Sequence, residues 1–266
     1  MVILGIDTSC DDTSLALLDE NRNILAHVIS SQADLHGRFG GVVPEIASRK
    51  HVELIDVIYN DVLREAELNA DDIDLVGVTS GPGLIGSVLV GLCFAKGFCL
   101  ARGIPLIGVN HVEAHAMSIF LEHEVEFPFV ALVVSGGHTI ILSFDAPCSF
   151  RVVGSTLDDA AGEAFDKIAK FLGLGYPGGR IIEELARKGS PDHVAFPRPM
   201  MDDVRCNFSF SGLKTAFITY AKKHTVDGSN ISDVLASFQE AVCDVLVSKT
   251  FKAARQSNIK RIVVGG

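Results

Sequence analysis

Basic residues are scarce in this sequence, and their scarcity is the first constraint on what it does. The chain of 266 residues has 23 lysines and arginines against 33 aspartates and glutamates, a formal net charge of -10. A uniformly basic nucleic-acid coat is excluded. The deficit is uneven: up to Ala160 there are 22 acidic and 8 basic residues, and after it 11 acidic and 15 basic. A basic face, where there is one, belongs to the second part of the chain. Lys222, Lys223, Lys249, Lys252, Arg255, Lys260 and Arg261 are the candidates for phosphate contacts. No aromatic RNA-recognition motif or KH-type GxxG accompanies them, so a solvated helix face is the competing reading.

Other absences narrow the class further. The six cysteines form no CxxC pair, which argues against a zinc ribbon or a disulfide framework and suits reduced thiols in the cytoplasm. The opening MVILGIDTSC has no basic n-region and meets Asp7 at once, so it reads as a first strand rather than a signal peptide. The longest apolar stretch, residues 84–100, is interrupted by glycines and Lys96 and is expected not to span a bilayer. No GxxxxGK[ST] is present, so nucleotide binding would not use a P-loop.

What is present is globular. Hydrophobic residues make up 48% and charged residues 21%, enough to bury a sizeable core. Residues 2–6 read as a buried strand, and the runs around Leu15, Leu17 and residues 24–29 as a hairpin turned by Asp19, Glu20 and Asn21. Residues 44–67 have helical periodicity, with Ile46, Val52, Ile55, Val62 and Leu63 as the apolar face. A strand at 73–79, a helix to about 101 and a strand at 105–109 follow. The pattern then restarts with strands at 129–134 and 139–144, a short extended piece at 151–154, four helices and a last strand at 259–264. This predicts two related α/β lobes, 1–109 and 110–266. The chain stops at RIVVGG, where a βα unit normally runs on into a helix, so a longer protein is expected, with its C-terminal part missing here.

Five polar or glycine-rich segments can carry chemistry. His111 and His115 stand at i and i+4 of a helix, about 5–6 Å apart at Cβ, a spacing that suits two ligands on one metal. Glu113, two residues after the first histidine, matches neither HExxH nor HxxEH, so a metalloprotease is disfavoured. Two histidines are too few for a protein site, and a paired polar surface is the plainer alternative. The run Val134, Ser135, Gly136, Gly137, His138 lies between two apolar strands. Its glycines let backbone amides approach an anion, or serve only a tight hairpin. The cluster Asp7, Thr8, Ser9, Cys10, Asp11, Asp12 follows the first strand. Its carboxylates can bind a cation or orient a substrate, and Thr8 and Ser9 can face a phosphate, or the cluster is only a capped turn. The run from Ser80 to Ser87 joins a strand to a helix whose free N–H groups point outward. The fifth segment combines Asp166 with Gly178, Gly179 and Glu183, where the acids can bond a ribose or base, or be ordinary helix-surface residues.

Taken together, MVILGIDTSCDDTSLALLD, GGVVPEIASRKHVE, TSGPGLIGSVLVG, GVNHVEAHAMS, LVVSGGHT, GEAFDKIAKFLGLGYPGG, FPRPM and FSFSGLKTA resemble successive signatures of the TsaD family of tRNA threonylcarbamoyltransferases. The resemblance implies two RNase-H-like lobes of the actin and sugar-kinase (ASKHA) type. It implies transfer of threonylcarbamoyl from its adenylate to N6 of adenosine 37 in ANN-decoding tRNAs. It implies that His111 and His115 ligate one divalent iron or zinc ion, with a third ligand, an aspartate, beyond Gly266. Val134, Ser135, Gly136, Gly137, His138, Asp166, Gly179 and Glu183 would meet the adenylate, and Asp7, Asp11 and Asp12 would serve catalysis. Glu183 stands where the family often has aspartate, and DTSCDDTS where it usually has ETSCDETG. The implied partners are tRNA and, in a bacterial member, a TsaB-like paralogue and a TsaE-like ATPase, with no membrane. An ASKHA-fold small-molecule kinase and a non-catalytic paralogue scaffold are the competing classes.

Overall fold

The first strand, β1 (Val2–Asp7), pairs antiparallel with β2 (Asp12–Asp19), which pairs antiparallel with β3 (Ile24–Ser31). Leu4 lies opposite Leu17 and Ile6 opposite Leu15, and all four are buried, so the period-2 alternation puts one face of the hairpin into a core. Asp19 shapes the β2–β3 turn by accepting the amides of Asn21 at 2.8 Å and Asn23 at 2.9 Å. All 266 residues are described by this computed structural model, in two units, Met1–Ala114 and His115–Gly266.

In the first unit a short helix, α1 (Ala33–Gly37), precedes α2 (Pro44–Glu65), whose first residue is a proline with its φ already set for a helix. β4 (Leu75–Gly81), α3 (Ile85–Arg102) and β5 (Leu106–Asn110) complete it, in the strand order β3-β2-β1-β4-β5. The buried face of α2 is Ala47, His51, Ile55, Ile58 and Val62. Val52, expected there, is 63% exposed. A histidine takes the inward position because its ring has partners: Nε2 meets the Cys10 carbonyl at 3.0 Å and Nδ1 the Thr13 hydroxyl at 2.8 Å. α3 has 18 residues and a mean hydropathy of 1.6, so by length and composition alone it is apolar enough to cross a membrane. Its Ser87, Val88, Gly91, Ala95 and Cys99 are buried. Gly91 leaves room for Thr8, whose hydroxyl donates to the Ser87 carbonyl at 2.7 Å.

α4 (His111–Met117) opens where β5 ends, and the Asn110 side-chain oxygen caps it by accepting the amides of Val112 at 3.0 Å and Glu113 at 3.1 Å. The second unit contains β6 (Phe129–Val134), β7 (Thr139–Ala146), β8 (Ser149–Ser155), α5 (Ala161–Phe171), α6 (Gly178–Ala186), α7 (Ser211–Lys223), α8 (Ile231–Gln256) and β9 (Ile262–Gly265). Its sheet runs β8-β7-β6-β9, with β6 antiparallel to β7 and parallel to β9. Each unit therefore begins with three antiparallel strands and returns a later strand parallel to the first. β6 is buried along all but its last residue, which explains its unbroken apolar run.

Five of the basic candidates keep their positions near the end of the chain at or close to solvent, but Lys249 and Lys252 do not serve a surface. Lys249 is fully buried on α8 and donates to the carbonyl of Arg205 at 3.0 Å. Lys252 donates to the carbonyl of Asp203. Both ammonium groups hold the 203–205 loop, Lys249 from inside the fold and Lys252 from a half-buried position.

Candidate active site

In the first unit the polar loop after β1 is built from both sides. Ser9 donates its amide to Asp7 Oδ1 at 2.6 Å, and the Thr79 hydroxyl, from the end of β4, donates to Asp7 Oδ2 at 3.0 Å. Nδ1 of His111 lies 2.9 Å from the same Oδ2 and 3.2 Å from the Ser9 hydroxyl. Burial pushes the Asp7 carboxyl up, but the hydrogen bonds of His111 and Ser9 and the attraction of His111 outweigh it and bring it down to about 2. Asp7 is thus a carboxylate facing protein donors, while Asp11 is half-buried and Asp12 exposed.

Thr8 and Ser9 do not face outward to a phosphate as the sequence suggested. Both are buried; the Thr8 hydroxyl is engaged by α3, and the Ser9 carbonyl accepts the Leu84 amide at 2.8 Å. Asp11 is anchored through its backbone, its carbonyl accepting the Gln32 amide at 3.0 Å. Desolvation at the strand end, then the charges of Asp11, Asp12 and Asp7, push the Cys10 thiol up to about 12, although the residue as a whole is exposed. It is a poor nucleophile.

In the second unit Ser135 closes the turn between β6 and β7. Its amide donates to the His138 carbonyl at 2.8 Å, and its hydroxyl accepts the His138 amide at 3.1 Å. Gly136 and Gly137 are exposed, have ordinary φ, and would meet no atom within 4 Å if they carried a Cβ. The backbone amides of this turn are therefore open to approach from solvent. Asp166 Oδ1 accepts the Gly178 amide, the first of α6, at 2.7 Å. Gly178 is explained by packing, since a Cβ would lie 2.6 Å from that of Ala169, whereas at Gly179 it would meet nothing. Glu183 is exposed and paired with Arg187 at 2.7 Å.

Sequence reasoning missed Thr79, Asn110 and the inward role of His51. It also missed the bonds that Asp158 and Asp159, just before GEAFDK, make with that segment and with FSFSGLKTA. Asp158 Oδ1 caps α7 through the amides of Phe210 at 2.8 Å and Ser211 at 3.2 Å. Asp159 accepts Lys167 on one oxygen and Lys214 on the other, each at 2.6 Å. No group of three or more His, Cys, Asp or Glu side chains is arranged as a metal site.

The family of tRNA N6-adenosine threonylcarbamoyltransferases, TsaD, matches residues 23–266 of this sequence. A threonylcarbamoyltransferase of Geobacter sulfurreducens is 54% identical over 267 residues, covering 100% of this chain and 78% of that protein. One from Geotalea uraniireducens is 52% identical over 268 residues, with the same coverage of both. The chain belongs to this family. The reaction is transfer of threonylcarbamoyl from threonylcarbamoyl-adenylate to N6 of adenosine 37 of ANN-decoding tRNAs, giving t6A and AMP. Family membership carries with it tRNA, an adenylate substrate and a metal cofactor, and it decides against the kinase and scaffold readings. Among solved structures, component A of the (R)-2-hydroxyglutaryl-CoA dehydratase of Acidaminococcus fermentans is 13% identical with a TM-score of 0.52, over 100% of this chain and 92% of that one. The activator of 2-hydroxyisocaproyl-CoA dehydratase from Clostridium difficile is 14% identical with a TM-score of 0.52, over 99% and 88%. These likenesses are of fold: the chain has the two-lobed α/β fold of the ASKHA type.

Proposed function

We propose that the adenylate of the substrate is held by Val134, Ser135, Gly136, Gly137 and His138, with Asp166, Gly179 and Glu183 at its nucleoside end. The open approach to Gly136 and Gly137 carries this reading. Backbone N–H groups there meet the phosphate without Cβ interference, and the Ser135 hydroxyl keeps the turn closed by holding the His138 amide. Asp166 fixes the first amide of α6, next to the unobstructed Gly179.

His111 and His115 hold a divalent iron or zinc ion, with a third ligand from the part of the family's length that this chain does not span. His111, whose Nδ1 is turned to Asp7, would be one of the residues that hold the ion. A bound ion supplies a Lewis acid for carboxylate or phosphate oxygens. N6 of the adenosine attacks the carbamoyl carbon, the bond from that carbon to the phosphate oxygen breaks, and AMP leaves. Asp7, Asp11 and Asp12 are the carboxylates of the loop, and Asp11 and Asp12 orient the amine or take its proton. Transfer is direct, since Cys10, whose thiol desolvation and the neighbouring carboxylates push up, is poorly suited to be a covalent carrier.

The protein works in the cytoplasm with a TsaB-like paralogue and a TsaE-like ATPase. An exposed apolar stripe on α3 supports a protein partner: Ile85 is 90%, Leu89 57% and Leu100 86% exposed. The test is mass spectrometry of tRNA incubated with the full-length protein, its partners, threonine, bicarbonate and ATP. His111→Ala and His115→Ala are each expected to lose metal and t6A formation while keeping the fold. Full t6A formation by a metal-free double variant would end the metal part of this reading.

A further inference from the structure

Asp7 and His111 are 104 residues apart in the chain and meet at 2.9 Å, Nδ1 to Oδ2. Three donors from three places converge on this one carboxylate: the Ser9 amide, the Thr79 hydroxyl of β4, and the imidazole at the start of α4. The His111 side chain is 16% exposed and that of Asp7 33%, so the contact is sheltered rather than a passing surface pair. The helix bearing the ring is itself fixed, because Asn110 caps its amides. A carboxylate at neutral pH only accepts, so the imidazole nitrogen facing it carries the proton. The Ser9 hydroxyl, 3.2 Å from the same nitrogen, stands beside that bond.

We propose that Asp7 is the orienting carboxylate of His111: it holds the ring as the Nδ1–H tautomer and so assigns Nε2 to the metal. Asp7 is then a positioning residue, and the catalytic role considered for it passes to Asp11 and Asp12. The physical logic is that a ligating histidine needs a lone pair on the metal side and a fixed ring plane, and a carboxylate behind the ring provides both. This rests on the reading of His111 as a ligand.

The geometry makes the amide variant informative. In Asp7→Asn the Ser9 amide still requires an acceptor at Oδ1, so the new NH2 group takes the Oδ2 place, where the Thr79 hydroxyl turns to accept from it, and faces His111 Nδ1. Nδ1 must then accept, the proton moves to Nε2, and the ring presents the wrong nitrogen to the metal. Asp7→Glu keeps a carboxylate and is the conservative control. The experiment labels histidine with 15N, reads the His111 tautomer by NMR in the metal-free protein, and measures zinc affinity by chelator competition, with thermal melting to confirm the fold. Wild type is expected as Nδ1–H. Asp7→Asn is expected as Nε2–H with zinc affinity about 10–100-fold weaker, and Asp7→Glu close to wild type in both. An Nε2–H tautomer in wild type overturns the proposal without any variant. So does unchanged zinc affinity in a folded Asp7→Asn whose tautomer has switched. His111→Ala separates the two levels: if it binds zinc as wild type does, the ligand reading has failed and the assignment of Nε2 falls with it, while the wild-type tautomer still reports on the Asp7 contact itself.

Discussion

The carbonyl oxygen of Ser135 lies 2.5 Å from the point where a side chain at Gly162 would place its Cβ. The amino end of α5 is thus pressed against the turn read as the phosphate site, with Gly136 Cα 2.8 Å from the same point. Because the obstacles are backbone, no rotamer change relieves them. Gly162→Ala should cost about 1–3 kcal/mol of stability and displace the turn, weakening AMP binding. Gly137→Ala meets no protein atom, so it should leave the unfolding midpoint unchanged and weaken AMP alone. Denaturant melts and calorimetric titration with AMP read the two effects separately. Wild-type AMP affinity in both variants would remove the turn from the binding site.

Asp159 is the hub of a charged clasp between α5 and α7, accepting both Lys167 and Lys214. Its side chain is 11% exposed, against 40% for Lys167 and 20% for Lys214, so solvent screens part of the attraction. Asp159→Asn leaves Lys214 without its carboxylate and Lys167 with Glu163 alone, at 2.8 Å, and should cost about 1–3 kcal/mol. Burial raises the Asp159 carboxyl, but the lysine hydrogen bonds and charges prevail and hold it below the ordinary aspartate value. A depressed folded value means that the clasp stabilises fully above the unfolded aspartate pKa of about 3.9 and is lost as pH falls through the folded one. The stability difference between wild type and Asp159→Asn should be flat near neutrality and shrink on acidification. A difference that grows toward low pH would contradict this arrangement.

Local pattern made much of this fold legible, and long-range partnership did not. The alternation of Leu4, Ile6, Leu15 and Leu17 locates the hairpin, and Pro44 marks the start of α2. The five-residue α1 shows no periodicity and escaped detection. His51 reads as a polar residue on a helix until Thr13 and the Cys10 carbonyl are brought to it. The Asp7–His111 contact joins two separately visible motifs, and nothing in either announces the other. Lys249 was legible in principle: Val245, Lys249 and Ala253 follow one another at i+4 along a buried stripe, and the periodicity should have outweighed the charge.

That position also decides how RNA contacts should be tested. Burial first, then neighbouring Lys252, lowers the Lys249 ammonium below the usual lysine value, with Asp203 opposing. Lys249→Glu would set a buried carboxylate against the Arg205 carbonyl, now 3.0 Å from the ammonium, and should cost about 3–5 kcal/mol. Lost tRNA binding in that variant would report unfolding. Lys222, Lys223 and Lys260 are exposed, so their change to glutamate should move stability by less than about 0.5 kcal/mol. If they touch phosphates, each lost contact should reduce the slope of log affinity against log salt by about 0.9 for a duplex and about 0.7 for a single strand. An unchanged slope in the triple variant would clear them of that role.

Cys10 tests whether the transfer is direct. It stands in the same loop as Asp11 and Asp12, where a covalent acyl carrier would be expected if there were one. With its thiol pushed up to about 12, little thiolate forms at pH 8. The carboxylates that raise it would also repel an anionic adenylate from a thiolate. Cys10 is exposed, as Cys93 and Cys148 are, so slow labelling of Cys10 by iodoacetamide at pH 8 would report its raised thiol rather than shielding, as peptide mass spectrometry can measure. Cys10→Ser should make t6A at close to the wild-type rate, since Ser9, Asp7 and the Cys10 backbone carbonyl, which make the loop's contacts, are unchanged. Loss of t6A formation in a Cys10→Ser protein that still binds AMP and metal normally would show that the thiol takes part, and direct attack by N6 would have to be abandoned.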